Sequence, residues 1–287
     1  MAIALEGLRL ICRMYKGRTF SGKALIYGVQ MVEGDYSRVL ACLKKEDYPV
    51  RELPEAEIRY MDFKEYSEYG TCLHPETLFK MLGFDVVDTI DLYPNENPTH
   101  VLDLNLPLPE SMYGNYDFIL DGGTMEHCFN VPEVFFNTVR LLKPGGIVLH
   151  FNPISGMVNH GFYQFSPTLY YDFYQANGFD EMALKFSFLG REMDHTPHYI
   201  YNDFLGAPVM GFFTARKGQG AAQAPVTPVQ NLYEEVFGGK EAAAAGSNGK
   251  PKFKLADLRA KIPSRGLLHF LVNLRKGYKL FRDSRPL

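Results

Sequence analysis

The sequence contains no tryptophan and only four cysteines, Cys12, Cys42, Cys72 and Cys128, none of them in a CxxC pair. That spacing argues against a zinc ribbon and against a disulfide-dense secreted scaffold, and reduced thiols in a cytosol are the expectation. No run of about eighteen apolar residues occurs, so no membrane-spanning helix is expected. The first residues, MAIALEGLRLICRMYKGR, lack the apolar core and small-residue cleavage site of a secretory signal, and the reading is a soluble, cytoplasmic protein. A repeat of fixed period is missing too, which removes solenoids and propellers. Gly-x-Gly-x-x-Gly is also absent, and with it the pyrophosphate cradle of a dinucleotide oxidoreductase.

What is present suffices for a full core: 287 residues, 46% hydrophobic, with 22 Phe and 18 Tyr, which fits one ordinary domain with appendages. Charge is unevenly spread. Lys250 to Leu287 holds eleven Lys/Arg against two Asp/Glu, about +9, and the remainder carries about −12. An acidic body disfavours broad contact with a nucleic-acid backbone and favours small acceptors. In the tail, Leu267-Leu-His-Phe-Leu-Val-Asn-Leu is flanked by Lys261, Arg265, Arg275, Lys276, Lys279 and Arg282. As a helix it would join an apolar stripe to cationic flanks, suited to an anionic membrane surface, to a protein partner, or to the chain's own acidic body.

Punctuation divides the chain into four zones: an N-terminal helix (1–22), an α/β domain (23–216), a flexible Ala/Gly/Pro/Gln-rich linker (217–252) and a basic amphipathic tail (253–287). Leu5, Leu8, Ile11, Cys12 and Tyr15 recur at helical spacing, and this helix is expected at the edge of the domain. Lys23-Ala-Leu-Ile-Tyr reads as a buried strand turning at Gly28, and Tyr36 to Lys45 as a helix. His74 to Leu82 reads as another, with Pro75 early and Gly83 after its end. Strands follow around Phe84–Leu92, Tyr116–Asp121 and Ile147–Phe151, with a helix at about Pro132–Leu142 before Lys143-Pro-Gly-Gly. A helix at Thr168–Asn177 and strands near Ala183–Leu189 and Ala207–Thr214 complete the pattern. Strand-helix-strand alternation with tight turns predicts a Rossmann-like, doubly wound, mostly parallel sheet with helices on both faces.

In such a sheet ligands sit beyond the carboxyl ends of the strands, where strand order reverses. Gly28 would let the backbone approach an adenosine-type ligand, and Asp91 would accept hydrogen bonds from both ribose hydroxyls. Asp103, between Leu102 and Leu104, would reach the adenine amino group. Each of these residue types also has a plain role as a turn or a cap; the ordered set is the signal. The His195-Thr-Pro-His198 pair lacks a nearby Cys or second acidic cluster, and Pro197 breaks any helical face, so no metal site is expected there.

The block YDFILDGGTMEHCFNVPEVFFNTVRLLKPGGIVLH resembles the central block of class I S-adenosylmethionine-dependent methyltransferases. In that family a strand, an acidic or small-residue turn, a Glu-His or similar pair, a helix and a Leu-Lys-Pro-Gly-Gly turn follow in this order. The layout of residues 23–215 fits as well. The resemblance implies S-adenosyl-L-methionine as cofactor, held by Gly28, Val29, Gln30, Asp91, Leu92, Asp103, Leu104, Asp121, Gly122 and Glu126, and a small-molecule or glycan-related acceptor. Where members usually carry an acidic residue and Gly-x-Gly after the first strand, this chain has Ile26-Tyr27-Gly28-Val29-Gln30. The alternative is therefore a noncatalytic methyltransferase-like interaction module. Methyl transfer to a hydroxyl needs a base, for which His127, His150 and His160 are candidates. His160 and Tyr163 lie in an aromatic loop, flanked by Gly156 and Gly161, that would roof the cleft over substrate.

Overall fold

A computed structural model of the chain describes residues 2–61, 70–188, 191–194, 208–221 and 224–231. His195, His198, the helical patch around Leu232–Phe237 and the basic tail lie outside the described residues. In chain order the elements are β1 (Ala2–Ile3), α1 (Leu5–Met14), β2 (Lys23–Tyr27), β3 (Met31–Glu33), α2 (Tyr36–Lys45), β4 (Cys72–Leu73), α3 (Pro75–Leu82) and β5 (Val86–Asp91). There follow β6 (His100–Val101), β7 (Tyr116–Asp121), α4 (Val131–Leu141), β8 (Leu142–Ser155), α5 (Pro167–Ala176), β9 (Phe179–Phe188), β10 (Arg191–Asp194) and β11 (Val209–Lys217).

Eight strands form the main sheet in the order β10-β9-β11-β8-β7-β2-β5-β6. From β6 to β8 all neighbours are parallel, whereas β11 is antiparallel to both β8 and β9, and β10 to β9. The chain leaves β2 for β5 on one side and later for β7 on the other, so the strand order reverses at β2 and the crevice beyond its carboxyl end is the switch point. This is the doubly wound, Rossmann-like architecture expected from the alternation.

Period-2 alternation divides the core between two faces. Tyr27, Ile119, Val148 and Phe213 point to one side, where Phe135 of α4 and Phe173 and Tyr174 of α5 cover them. Ile26, Phe118, Leu149 and Phe212 point to the other, against Leu8 of α1, Leu43 of α2 and Phe79 of α3. Burial on both faces explains the near-continuous apolar strand sequences. Helix ends follow local chemistry: Asp35 Oδ1 accepts from Arg38 N at 2.8 Å to cap α2, while α3 has Pro75 in its first turn and Gly83 at φ 120° past its end.

Several features depart from the sequence expectations. Helix α1 packs on a face of the sheet and not at the domain edge, with Leu8 wholly buried and Gly7 close against the Phe212 ring of β11. A second, three-stranded sheet, β1-β3-β4, was not foreseen. The chain also stays bonded to the domain past Arg216: Lys217 is buried and donates to the carbonyls of Val139 and Leu142. Further on, Asn177, the residue that caps the end of α5, binds both backbone groups of Val226. Among the described residues no helix is long and apolar enough to cross a membrane.

Candidate functional site

The strand register aligns Tyr27, Asp121 and His150 in one row across β2, β7 and β8. The residues just beyond that row form the crevice. At the end of β2, Gly28 turns with φ 71°, and its amide donates to Ile90 O at 2.8 Å. A Cβ there would stand 2.7 Å from Thr124 Oγ1 and 2.8 Å from Gln30 Nε2, so both sterics and dihedral require glycine. Gln30 is buried, and its Nε2 donates to Tyr27 O (3.0 Å) and to Thr124 Oγ1 (3.1 Å). Its Oε1 is buried with no hydrogen-bond partner among the described residues. Gly122 lies against the same side chain, where a Cβ would meet Gln30 Cδ at 3.2 Å.

Asp91 ends β5 beside this turn. Its carboxylate accepts from Tyr93 N at 3.2 Å and, more loosely, from Val29 N at 3.4 Å, which leaves lone pairs free for a ligand. An open depression of about 480 Å³ is lined by Asp91, Tyr93, Asn95 and Glu96. Burial, followed by the charge of Asp91, raises the Glu96 pKa. Leu92 is exposed, and Leu104 is buried in the core. Asp103 Oδ1 accepts from the backbone and side-chain nitrogens of Asn105 at 2.8 and 2.7 Å.

Asp121, expected as a cofactor contact, is turned into the protein. It is wholly buried; Oδ1 accepts from Thr124 N (3.0 Å) and Met125 N (3.1 Å), and Oδ2 from His150 Nδ1 (2.9 Å) and Asn152 Nδ2 (2.8 Å). Burial alone would push this carboxyl up, but the bonds from His150 and Asn152 hold it below its ordinary value. An ionised Asp121 only accepts, so His150 carries a proton on Nδ1, and its Nε2 lies in hydrogen-bond contact with the Tyr174 hydroxyl at 2.6 Å. His150 has no exposed surface, and this geometry makes it an organiser of the turn and not a base for an external acceptor.

Glu126 sits in the turn that Asp121 holds. It too is wholly buried; Oε2 accepts from Asn152 Nδ2 at 2.9 Å, while Oε1 has no hydrogen bond among the described residues. Burial first, then the nearby charge of Asp121, pushes its pKa up to about 8. The loop after β8 folds back over it, with Phe162 N donating to Glu126 O at 2.8 Å. That brings His160 Nε2 to 3.6 Å from Glu126 Oε1, and the rings of His127 and His160 to 5.1 Å between centroids. Burial, then His160, lowers the His127 pKa. Tyr163 is turned away, donating its hydroxyl to Phe129 O at 2.9 Å.

The structure thus brings Gly28, Val29, Gln30, Asp91 and Gly122 to one turn, and Glu126, His127 and His160 to the next. Asn152, Tyr170 and Tyr174, which complete the buried network, were not singled out in the sequence. The spacing of His150 and Asn152, two apart on a strand, was the available signal that both point to one face.

No protein-family model and no curated protein matches this sequence. Among solved structures, the chain is similar to Haemonchus contortus phosphoethanolamine N-methyltransferase 2 in complex with S-adenosyl-L-methionine, at 13% identity and TM-score 0.39, over 74% of this chain and 52% of that one. It is also similar to Burkholderia thailandensis 1,6-didemethyltoxoflavin-N1-methyltransferase, at 12% identity and TM-score 0.34, over 75% and 78% of the two chains. This chain spans about half the length of the Haemonchus contortus protein.

Proposed function

We propose that the chain is an S-adenosyl-L-methionine-dependent methyltransferase acting on a small-molecule or glycan-related acceptor. The observation that carries this reading is a buried acceptor without a hydrogen-bond partner among the described residues, Gln30 Oε1, which lies with Gly28 and Gly122 beyond the strand ends at the switch point. When bound, this cofactor supplies an electrophilic methyl group on a positive sulfonium and carries an ammonium at its amino-acid end. Unpaired oxygens in apolar surroundings are costly, and a cationic ligand offsets that cost. The residues present therefore fit such a group.

In this reading Asp91 binds the ribose hydroxyls, and the Gly28-Val29 backbone lines the ligand. Gln30 Oε1 accepts from the ammonium across Gly122. Leu92 and Asp103 frame the adenine, with Leu104 supporting them from the core. Asp121 positions the turn through Thr124 and Met125 and touches no ligand. Glu126, whose neighbours come from β8 and the loop after it, belongs with His127 and His160 on the acceptor side. Methyl transfer relies on alignment more than on covalent help, so rigid placement of these elements is the main contribution asked of the protein.

One feature favours the noncatalytic module: the Gln30 amide folds back onto Tyr27 O and Thr124 and fills the first turn with the chain's own side chain. Calorimetric titration with S-adenosyl-L-methionine and its demethylated product separates the two readings. Micromolar binding, weakened about tenfold or more in Asp91→Ala, or ~1.4 kcal/mol and upward, supports the methyltransferase. Absence of binding to either ligand by folded protein assigns the chain to the noncatalytic class.

A further inference from the structure

Two polar atoms that no hydrogen bond satisfies face each other in the acceptor-side turn. Glu126 Oε1 and His160 Nε2 are both buried and have no hydrogen-bond partner among the described residues; they stand 3.6 Å apart. One ligand-capable atom from each of Glu126, His127 and His160 lies within 4.8 Å of the others. The geometry points to a divalent transition-metal site formed by Glu126 Oε1, His127 and His160 Nε2, with Zn²⁺ as the fitting ion.

The donor set argues for this class of ion. Mg²⁺ and Ca²⁺ take oxygen ligands, whereas two imidazoles and one carboxylate suit Zn²⁺ and its first-row neighbours. Three protein ligands with an open fourth position is the arrangement of catalytic zinc. Spacing agrees as well: ligands about 2.0–2.2 Å from a tetrahedral ion stand about 3.4 Å from one another, close to the Glu126–His160 separation. The longer reach to His127 closes by rotation of an exposed side chain.

The surroundings are built to hold the carboxylate. Asn152 donates to Glu126 Oε2, and Asn152 Oδ1 in turn accepts from Tyr170 OH at 2.8 Å. Such supporting bonds fix a ligand's orientation before the ion arrives. The loop carrying His160 is clamped by Phe162 N on Glu126 O, and Gly161 permits that approach, since a Cβ there would stand 2.8 Å from Glu126 O. The two histidines come from the turns after β7 and β8, neighbouring parallel strands, and their separation along the chain hides them from spacing motifs.

An ion here, with an open position, would take an oxygen of the acceptor, a hydroxyl or a carboxylate, and would make a bound hydroxyl easier to deprotonate. That assignment of the acceptor rests on the methyl-transfer reading; the ion site does not. The test uses the full chain, stripped with a chelator and titrated with Zn²⁺ by calorimetry and with Co²⁺ as an optical reporter, with no cofactor or acceptor present. One equivalent bound at micromolar affinity or tighter is expected, weakened at least tenfold in His160→Ala, His127→Ala and Glu126→Gln. The two histidine variants decide the matter if the buried Glu126→Gln does not fold. Failure of the wild type to bind either ion, or equal binding by wild type and His160→Ala, overturns the site. Neither outcome bears on the cofactor titration, so the two readings fail separately.

Discussion

Asp121 and Glu126 are two carboxylates in one turn, both without exposed surface, and they behave as opposites. Asp121 accepts four hydrogen bonds, two from backbone amides and two from side chains of β8, and is held in its ionised form. Glu126 has one oxygen satisfied and the other bare, and its pKa is pushed up to about 8 by burial and by Asp121 itself. Depth does not separate them; the count of donors does. A saturated buried carboxylate is part of the scaffold, and an unsaturated one is where a ligand has something to gain.

The largest effect should come from removing the saturated member. Asp121→Ala leaves Thr124 N, Met125 N and His150 Nδ1 without that acceptor, while Asn152 Nδ2 keeps Glu126 Oε2; each buried donor left unsatisfied costs about 1–3 kcal/mol, or about 3–5 kcal/mol together. Urea denaturation should show a fall of that size. A loss under about 1 kcal/mol would put the two carboxylates on the same footing and remove the contrast.

A second test compares buried histidines. His150 faces a carboxylate, whereas His74 is buried at the start of α3, where Nδ1 accepts from Glu76 N at 3.2 Å. Burial, then the charge of Arg59, lowers its pKa from 6.5 to about 4. The folded value lies below the unfolded one, so the neutral ring favours the fold. Its contribution is complete above about pH 6.5 and is lost as pH falls through about 4, on the order of 3 kcal/mol. His74→Asn keeps a capping acceptor without the charge change. Its stability should be flatter by that amount between pH 6.5 and 4; an unchanged slope would assign the acid sensitivity to other groups.

These contrasts were unequally legible in the sequence. Tyr36–Lys45 and Pro75–Leu82 were readable to within a residue because caps, prolines and glycines act locally. The sheet was readable because strands buried on two faces are near-continuous apolar runs, such as Ala24–Tyr27 and Phe118–Leu120, that stop at polar or glycine residues. The three-stranded sheet escaped because strands of two or three residues are shorter than any periodicity window. The role of Asp121 escaped for a different reason: an acid at a strand end looks the same whether it points to a ligand or to His150. The meeting of His160 with Glu126 depends on a loop held by backbone bonds to Glu126 O, which leave no mark on side-chain identity except the glycine at 161.

The smallest effect on stability is expected where the unsatisfied side meets solvent. His160 is about a third exposed (31%), and its own backbone bond, His160 N to Met157 O at 3.3 Å, survives truncation. Its Nε2 has no hydrogen-bond partner among the described residues, so His160→Ala should shift stability by no more than about 0.5 kcal/mol. A urea titration of the metal-free variant beside wild type measures this. A shift above about 2 kcal/mol would move His160 into the scaffold with His150. A small shift accompanied by loss of Zn²⁺ binding would instead set the boundary between scaffold and site between Asp121 and Glu126, because the same variant would then leave the fold intact and remove the ligand.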